Sequence, residues 1–242
     1  MKKIGFFLAS VAFFVSGVAA SAQFVNQGGS GRSAAYSSAE VEAVFNTFDF
    51  TYSPLNLKAE GDGDSETEEM NALSLNWAQA RALTTAYPVY LQYGVGLQYA
   101  WKTDSENEGD FSYKSTTSFL TAKIPVNLMY CFNVPQTNVA LMPYVGLNLQ
   151  GHILGQNNYK LTYDGESESE KMSFFSEDDM GEDGAYNRIV LGWQIGAKVA
   201  FNKYFVGIAY EGPVTNLFKY DDGDDDYKIN FNQINISIGM KF

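Results

Sequence analysis

The sequence is poor in the side chains that most site chemistry uses. Its 242 residues include one cysteine, Cys131, and one histidine, His152. A lone cysteine excludes an intrachain disulfide framework and any multi-cysteine metal site. A lone histidine removes most histidine-based zinc sites. It also leaves a hydrolytic triad short of companions, because no Ser or Asp stands at a recognisable spacing from His152. Charge is sparse and mostly of one sign: 18% of residues are charged, with 28 Asp+Glu against 16 Lys+Arg. A net charge of −12 excludes nucleic-acid binding by phosphate neutralisation, which needs a basic face. Six prolines and 22 glycines are too few for a collagen-like or low-complexity chain. Beyond the N-terminal segment, no stretch reaches the roughly 20 apolar residues of a membrane helix. If the mature chain enters a membrane, it does so as strands. Nothing in the sequence asks for a cofactor.

The first 22 residues have the layout of a cleaved secretory signal peptide. Lys2 and Lys3 open it, an apolar run extends from Ile4 to about Val18, and Ala20-Ser21-Ala22 supplies a small-x-small cleavage site. The mature chain is then expected to begin at Gln23. Residues 23–39, centred on Gly28-Gly29-Ser30-Gly31, read as a flexible periplasmic lead. Residues 40–242 read as one domain.

In that domain the dominant signal has period 2. From Tyr87 to Trp101, Tyr87, Val89, Leu91, Tyr93, Val95, Leu97, Tyr99 and Trp101 share one face, and Gln92, Gly94, Gly96 and Gln98 lie on the other. The same alternation recurs at 118–132, 139–153, 188–201, 204–211 and from Ile234 to Phe242. Two weaker stretches, 41–52 and 71–81, precede these six, and eight strands are predicted. The phase of the first is ambiguous, because Phe45 and Phe48 cannot share a face without a bulge. A local bulge is expected at Pro125, which removes a ladder hydrogen bond. Connections alternate in length. Short links at 83–86, 133–138 and 202–203 contrast with long ones at 53–70, 102–117, 154–187 and 212–227.

Two features favour lipid over a soluble core. The second face carries Gly, Gln, Asn, Ser and Tyr with few charges, whereas a sandwich in water would carry frequent Lys and Glu there. The four long connections hold 24 of the 28 acidic residues, and the apolar faces of the six strong strands hold none. A bilayer imposes that exclusion, since a Lys or Arg at mid-membrane on a barrel's lipid face costs roughly 2–4 kcal/mol. Tyr87, Tyr99, Trp101, Tyr130, Phe132, Phe201 and Tyr204 stand at strand ends, where interfacial girdles would lie. The expected fold is all-β, an eight-stranded antiparallel up-and-down transmembrane barrel. A soluble sandwich is the minor alternative.

The segment Tyr87-Pro-Val-Tyr-Leu-Gln-Tyr-Gly-Val-Gly-Leu-Gln-Tyr and the ending Ile-Ser-Ile-Gly-Met-Lys-Phe resemble strands of the outer-membrane β-barrel (porin family) domains of Gram-negative bacteria. In size the chain is similar to the small OmpA/OmpX-type barrels. The resemblance covers about residues 40–242 and is specific for architecture. It implies an outer-membrane location and contact with outer-membrane lipid. It also implies a C-terminal signal, here Ile238, Met240 and Phe242, read by the barrel-assembly machinery. It implies no particular activity.

An eight-stranded barrel has an interior that side chains just fill. On the second face, Lys123, Lys198, Lys241 and Arg188 are expected to meet Glu211 and Asp49 in a polar network that plugs the lumen. His152, on the same face, is read as a hydrogen-bonded interior residue, and Cys131 as a small packing residue. Asp221, Asp222, Asp224 and Asp226, with Asp62 and Asp64, are weak Ca²⁺ candidates, since neither run completes a calcium loop with a late glutamate. These loops are also candidates to meet lipopolysaccharide through divalent cations. The leading function is then a non-enzymatic envelope barrel with acidic loops for adhesion or ligand contact. The alternatives are a narrow channel, with a gap beside Gly94, Gly96, Gly146 and Gly196, and a barrel enzyme using His152.

Overall fold

The computed structural model describes residues 41–61, 64–108, 111–164, 166–176, 186–217 and 228–242. The predicted signal segment and lead lie outside the described residues. Among the described residues ten strands follow one another: β1 (Val44–Gly61), β2 (Asp64–Ala82), β3 (Val89–Glu108), β4 (Phe111–Tyr130), β5 (Phe132–Asn133), β6 (Val139–Tyr163), β7 (Glu166–Ser173), β8 (Ile189–Phe201), β9 (Tyr204–Pro213) and β10 (Lys228–Lys241). Eight of them close a ring. Each of β1, β2, β3, β4, β6, β8, β9 and β10 pairs antiparallel with the next, and β10 returns to β1. The seam is tied by Phe242, whose backbone N–H and C=O both bond Asn46, at 3.0 and 2.8 Å. The two-residue β5 borders the turn before β6, and β7 adds to β6 beyond the ring.

The short connections are tight because residues at their corners accept left-handed backbone. Asn202 has φ 55°, so Asn202-Lys203 alone join β8 to β9. Asn tolerates that region better than most side chains.

One sequence expectation is corrected and one ambiguity is resolved. The β1–β2 ladder runs unbroken from Val44↔Arg81 to Gly61↔Asp64, so β1 has no bulge. Phe45 faces inward and is buried, whereas Phe48, Phe50 and Tyr52 face outward. Pro125 causes no bulge either. The β3–β4 ladder loses the rungs between Tyr93↔Val126 and Gly96↔Lys123 yet keeps its register. The missing N–H opens the ladder without inserting a residue. The bulge lies instead at Ile153, because Thr121 pairs with His152 but Leu120 pairs with Leu154. Ile153 and Leu154 both point outward as a result, 49% and 50% exposed.

The long connections hold more strand than expected. β1 continues to Gly61 and β2 starts at Asp64, β3 continues to Glu108 and β4 starts at Phe111, and β6 is followed through Asp164 by β7. Leu55, Leu57 and Ala59 alternate with polar residues in upper β1, but over most of the other extensions polar residues occupy both faces and little hydrophobic alternation marks them. The backbone ladders simply continue from the barrel wall.

Candidate functional site: the sealed lumen and the two surfaces of the wall

Polarity is inverted relative to a water-soluble protein. Leu75, Leu97, Ile208 and Ile238 point outward and are 52%, 48%, 60% and 62% exposed, whereas Glu211 points inward and is 3% exposed. An uncovered apolar belt around the whole wall is far larger than the patches soluble monomers expose. Hydrocarbon must cover it, and the barrel is transmembrane.

Hydrogen-bonded tyrosines mark the edges of the belt. At the upper edge, toward the long hairpins, Tyr52 Oη donates to Asn71 Oδ1 at 2.7 Å and Tyr210 Oη to Asn232 Oδ1 at 3.0 Å. Tyr99 stacks on Trp101 nearby, with centroids 5.8 Å apart. At the lower edge Tyr93 Oη donates to Gln79 Oε1 at 2.6 Å, and Gln79 Nε2 donates to Asn46 Oδ1. Asn71 and Gln79 are eight residues apart on β2. At ~3.4 Å per residue that is roughly 27 Å of strand, or about 21 Å of depth with a tilt of about 40°, near the ~25 Å apolar band of such barrels.

The lumen is filled in three layers. The lowest is apolar: Phe45, Tyr90, Met129, Met142 and Phe205 close the end that carries the chain termini of the domain, with Cys131 packed among them. Phe45 meets Tyr90 edge-on at 5.1 Å. The middle layer is polar. The Glu211 carboxylate accepts five hydrogen bonds. Oε1 takes Asn148 Nδ2 at 2.8 Å and Gln150 Nε2 at 2.6 Å; Oε2 takes Lys123 Nζ at 2.9 Å, Gln233 Nε2 at 2.8 Å and Asn235 Nδ2 at 3.2 Å. Asp49 accepts from Thr51 Oγ1 at 2.9 Å, Asn76 Nδ2 at 2.8 Å and Lys198 Nζ at 3.4 Å. The Lys198 ammonium also lies 4.7 Å from the centre of the Phe205 ring. Gln194, Asn127 and Gln92 continue the network across the wall. These residues come from all eight strands of the ring, so the network cross-braces it.

The upper layer is an aromatic cap. Phe119 stacks on Phe174 at 5.4 Å and meets Phe231 edge-on at 5.3 Å, and Leu55 and Met70 belong to the same cluster. His152 sits in this cap. Its Nδ1 is 2.8 Å from Thr121 Oγ1, rings of Phe119, Phe175 and Phe231 surround it, and its Nε2 has no hydrogen-bond partner. No acid or nucleophile adjoins that nitrogen among its described contacts.

The structure thus brings Lys123 to Glu211 and Lys198 to Asp49. It leaves the two other basic residues outside the network. Lys241 lies at the lower rim, paired with Glu42 and 4.3 Å from the Phe45 ring centre. Arg188 is exposed at the upper rim, its guanidinium 4.6 Å over Phe175. Both sit at strand ends on the inward face, where the outermost turn reaches solvent and a long side chain can keep its charge there. Sequence reasoning missed the amides. Asn148, Gln150, Gln233 and Asn235 supply four of the five bonds to Glu211, and their inward parity was the signal.

The space beside the glycines is taken. A Cβ on Gly94 would meet Trp77 O at 2.3 Å, on Gly96 Asn76 Oδ1 at 2.2 Å, on Gly146 Val126 O at 2.1 Å and on Gly196 Ala209 Cβ at 2.5 Å. The glycines let neighbouring side chains and backbone close in. Among the described residues no three His, Cys, Asp or Glu side chains are grouped to hold a metal ion. Asp62, Asp221, Asp222, Asp224 and Asp226 lie outside the described residues.

No protein-family model matches the chain, and no curated protein does. Solved structures do. Neisserial surface protein A is 14% identical, with a TM-score of 0.40, over 83% of this chain and 100% of its own. Ail, the attachment invasion locus protein of Yersinia pestis, is 13% identical with a TM-score of 0.33 over the same shares. The outer membrane enzyme PagL is 10% identical with a TM-score of 0.34, over 78% of this chain and 98% of its own. The fold assignment rests on the closed ring and its apolar exterior.

Proposed function

We propose that the protein is a non-enzymatic integral barrel of the bacterial outer membrane. Its lumen is sealed, and its role is to hold acidic, strand-built hairpins at the cell surface for envelope, adhesion or ligand contacts. The observation that carries this reading is the pairing of an apolar exterior with an interior packed from rim to rim. A wall this braced is a rigid mount, and the segments beyond the upper tyrosines are what remain free to meet other molecules. The lower rim, where Ile238, Met240 and Phe242 face outward along the seam, is where the assembly machinery would read the chain. Lipopolysaccharide, bridged by divalent cations to loop carboxylates, is a surface contact consistent with the acidic hairpins. The filled space beside Gly94, Gly96, Gly146 and Gly196 argues against the channel reading. The phenylalanine cage and lack of companions around His152 argue against the enzymatic one.

The test has two parts. Unheated protein in mild SDS is expected to migrate differently from boiled protein, because an intact barrel resists the detergent. The same folded sample in a planar bilayer is expected to give no stable, large single-channel steps. Regular conductance steps would overturn the sealed lumen, and a soluble, monodisperse protein in detergent-free buffer would overturn the membrane assignment.

A further inference from the structure

Above the upper tyrosines the ring splits. The β2–β3 ladder ends at Asn71↔Trp101, yet β2 continues outward to Asp64 and β3 to Glu108. Over this stretch, among the described residues, β2 pairs only with β1, and β3 only with β4. Two seven-residue edges, Asp64–Met70 and Lys102–Glu108, therefore face each other without the partner each has lower down. Each keeps a row of backbone N–H and C=O groups available for a further strand.

The side chains on these edges are largely sorted. The inward parity of Met70 and Ala100 carries Asp64, Glu66 and Glu68 on β2 and Asp104 and Glu106 on β3. The opposite parity carries Ser65 and Thr67 on β2, with Glu69 at the foot of that edge, and Thr103, Ser105 and Asn107 on β3. All eleven are exposed. One cation stands on the acidic face, at the floor of the split. Lys102 Nζ lies 3.0 Å from Asp104 on its own strand and 3.5 Å from Glu68 across the gap. The chain's own ammonium thus already joins a carboxylate from each edge.

We propose that this split binds an extended peptide segment with Lys or Arg at alternate positions and small polar residues between them. The segment adds as a strand along these edges. Its cations continue upward the bridge that Lys102 begins, at the level of Glu66 and Glu106, while its small residues face the Ser/Thr side. Backbone pairing supplies affinity, and alternation of side chains supplies specificity. Opposite charges on neighbouring strands are favourable pairs. This rests on the reading above only in placing the hairpins outside hydrocarbon, and folded protein in detergent micelles tests it separately.

The probes are three peptides of one composition, capped at both ends. One alternates, Thr-Lys-Thr-Lys-Thr-Lys-Thr. The second clusters its lysines, Thr-Thr-Lys-Lys-Lys-Thr-Thr. The third is the alternating peptide N-methylated at alternate amides, made in both phases. With the gel-mobility shift confirming a folded barrel, calorimetric titration is expected to show the alternating peptide binding at least about tenfold tighter than the clustered one. At least one N-methylated phase is expected to lose a similar factor. The double variant Glu66→Gln/Glu106→Gln, at exposed positions that leave the barrel intact, is expected to lose the preference for alternation. Equal binding of the alternating and clustered peptides, or full binding by both N-methylated phases, would overturn the proposal. The cleft would then be a diffuse counter-ion surface that Mg²⁺ screens equally against every peptide.

Discussion

Replacing Glu211 with alanine is expected to be the most damaging single change in the lumen, costing about 3–5 kcal/mol of barrel stability. The carboxylate is 3% exposed and receives five donors from three strands, β4, β6 and β10. Removing it strands the Lys123 ammonium, itself 6% exposed, without its ion-pair partner in the packed lumen. It also unpairs four amide N–H groups, each of which then carries part of its own desolvation cost. Urea unfolding of the barrel in detergent, followed by tryptophan fluorescence, measures the loss.

The double variant Lys123→Met/Glu211→Ala is expected to recover part of that loss. A buried ion pair replaced by apolar groups is often near neutral, and most of the single-variant penalty is the abandoned charge. The exposed pair Lys58–Glu60 serves as the comparison. Breaking it with Lys58→Met is expected to change stability by less than about 1 kcal/mol, because solvent screens such a pair. If Glu211→Ala costs no more than Lys58→Met, the network is not what braces the ring.

The wall was legible in the sequence because a bilayer punishes every lapse in alternation. Leu73, Leu75 and Trp77, or Ile234, Ile236 and Ile238, leave one reading of which face is outside. The inward pairing of Lys123 and Lys198 with carboxylates followed from parity and scarcity, since Glu211 and Asp49 are the two acidic residues inside the wall. What was hidden had three physical causes. Phe45, Tyr90, Met129, Phe205 and Phe119 are apolar on the inward face, where the lumen needs closing at both ends, so a count of polar residues on that face understates its packing. The bulge at Ile153 is silent because its neighbour Leu154 is equally suited to lipid. The hairpins above the membrane are mostly polar on both faces, with acids largely on one and Ser and Thr on the other along β2 and β3, and their ladders are set by the strands below. The split between β2 and β3 belongs to the last group, and only the register reveals it.

The exterior carries the second large expectation. Leu75 lies midway between Asn71 and Gln79, the two outward amides that mark the edges of the apolar belt, and it is 52% exposed. Its cross-strand neighbours are Phe50 and Leu97, both outward and apolar. Leu75→Arg is therefore expected to cost roughly 2–4 kcal/mol in a bilayer, the mid-depth cost of a basic residue on a barrel's lipid face. The guanidinium has about four residues of strand to climb before it reaches either interface, too far for its side chain to reach without thinning the membrane. Thr67→Arg, eight residues outward on the same face and beyond Asn71, is expected to change stability by no more than about 0.5 kcal/mol. The two variants add the same charge to the same strand and differ only in depth, so their difference in unfolding free energy in vesicles reads the membrane's contribution directly. In detergent micelles, which deform around a charge more readily, the gap is expected to narrow. Equal costs at the two positions would mean that lipid does not cover the wall at Leu75, and the transmembrane orientation of the barrel would have to be given up.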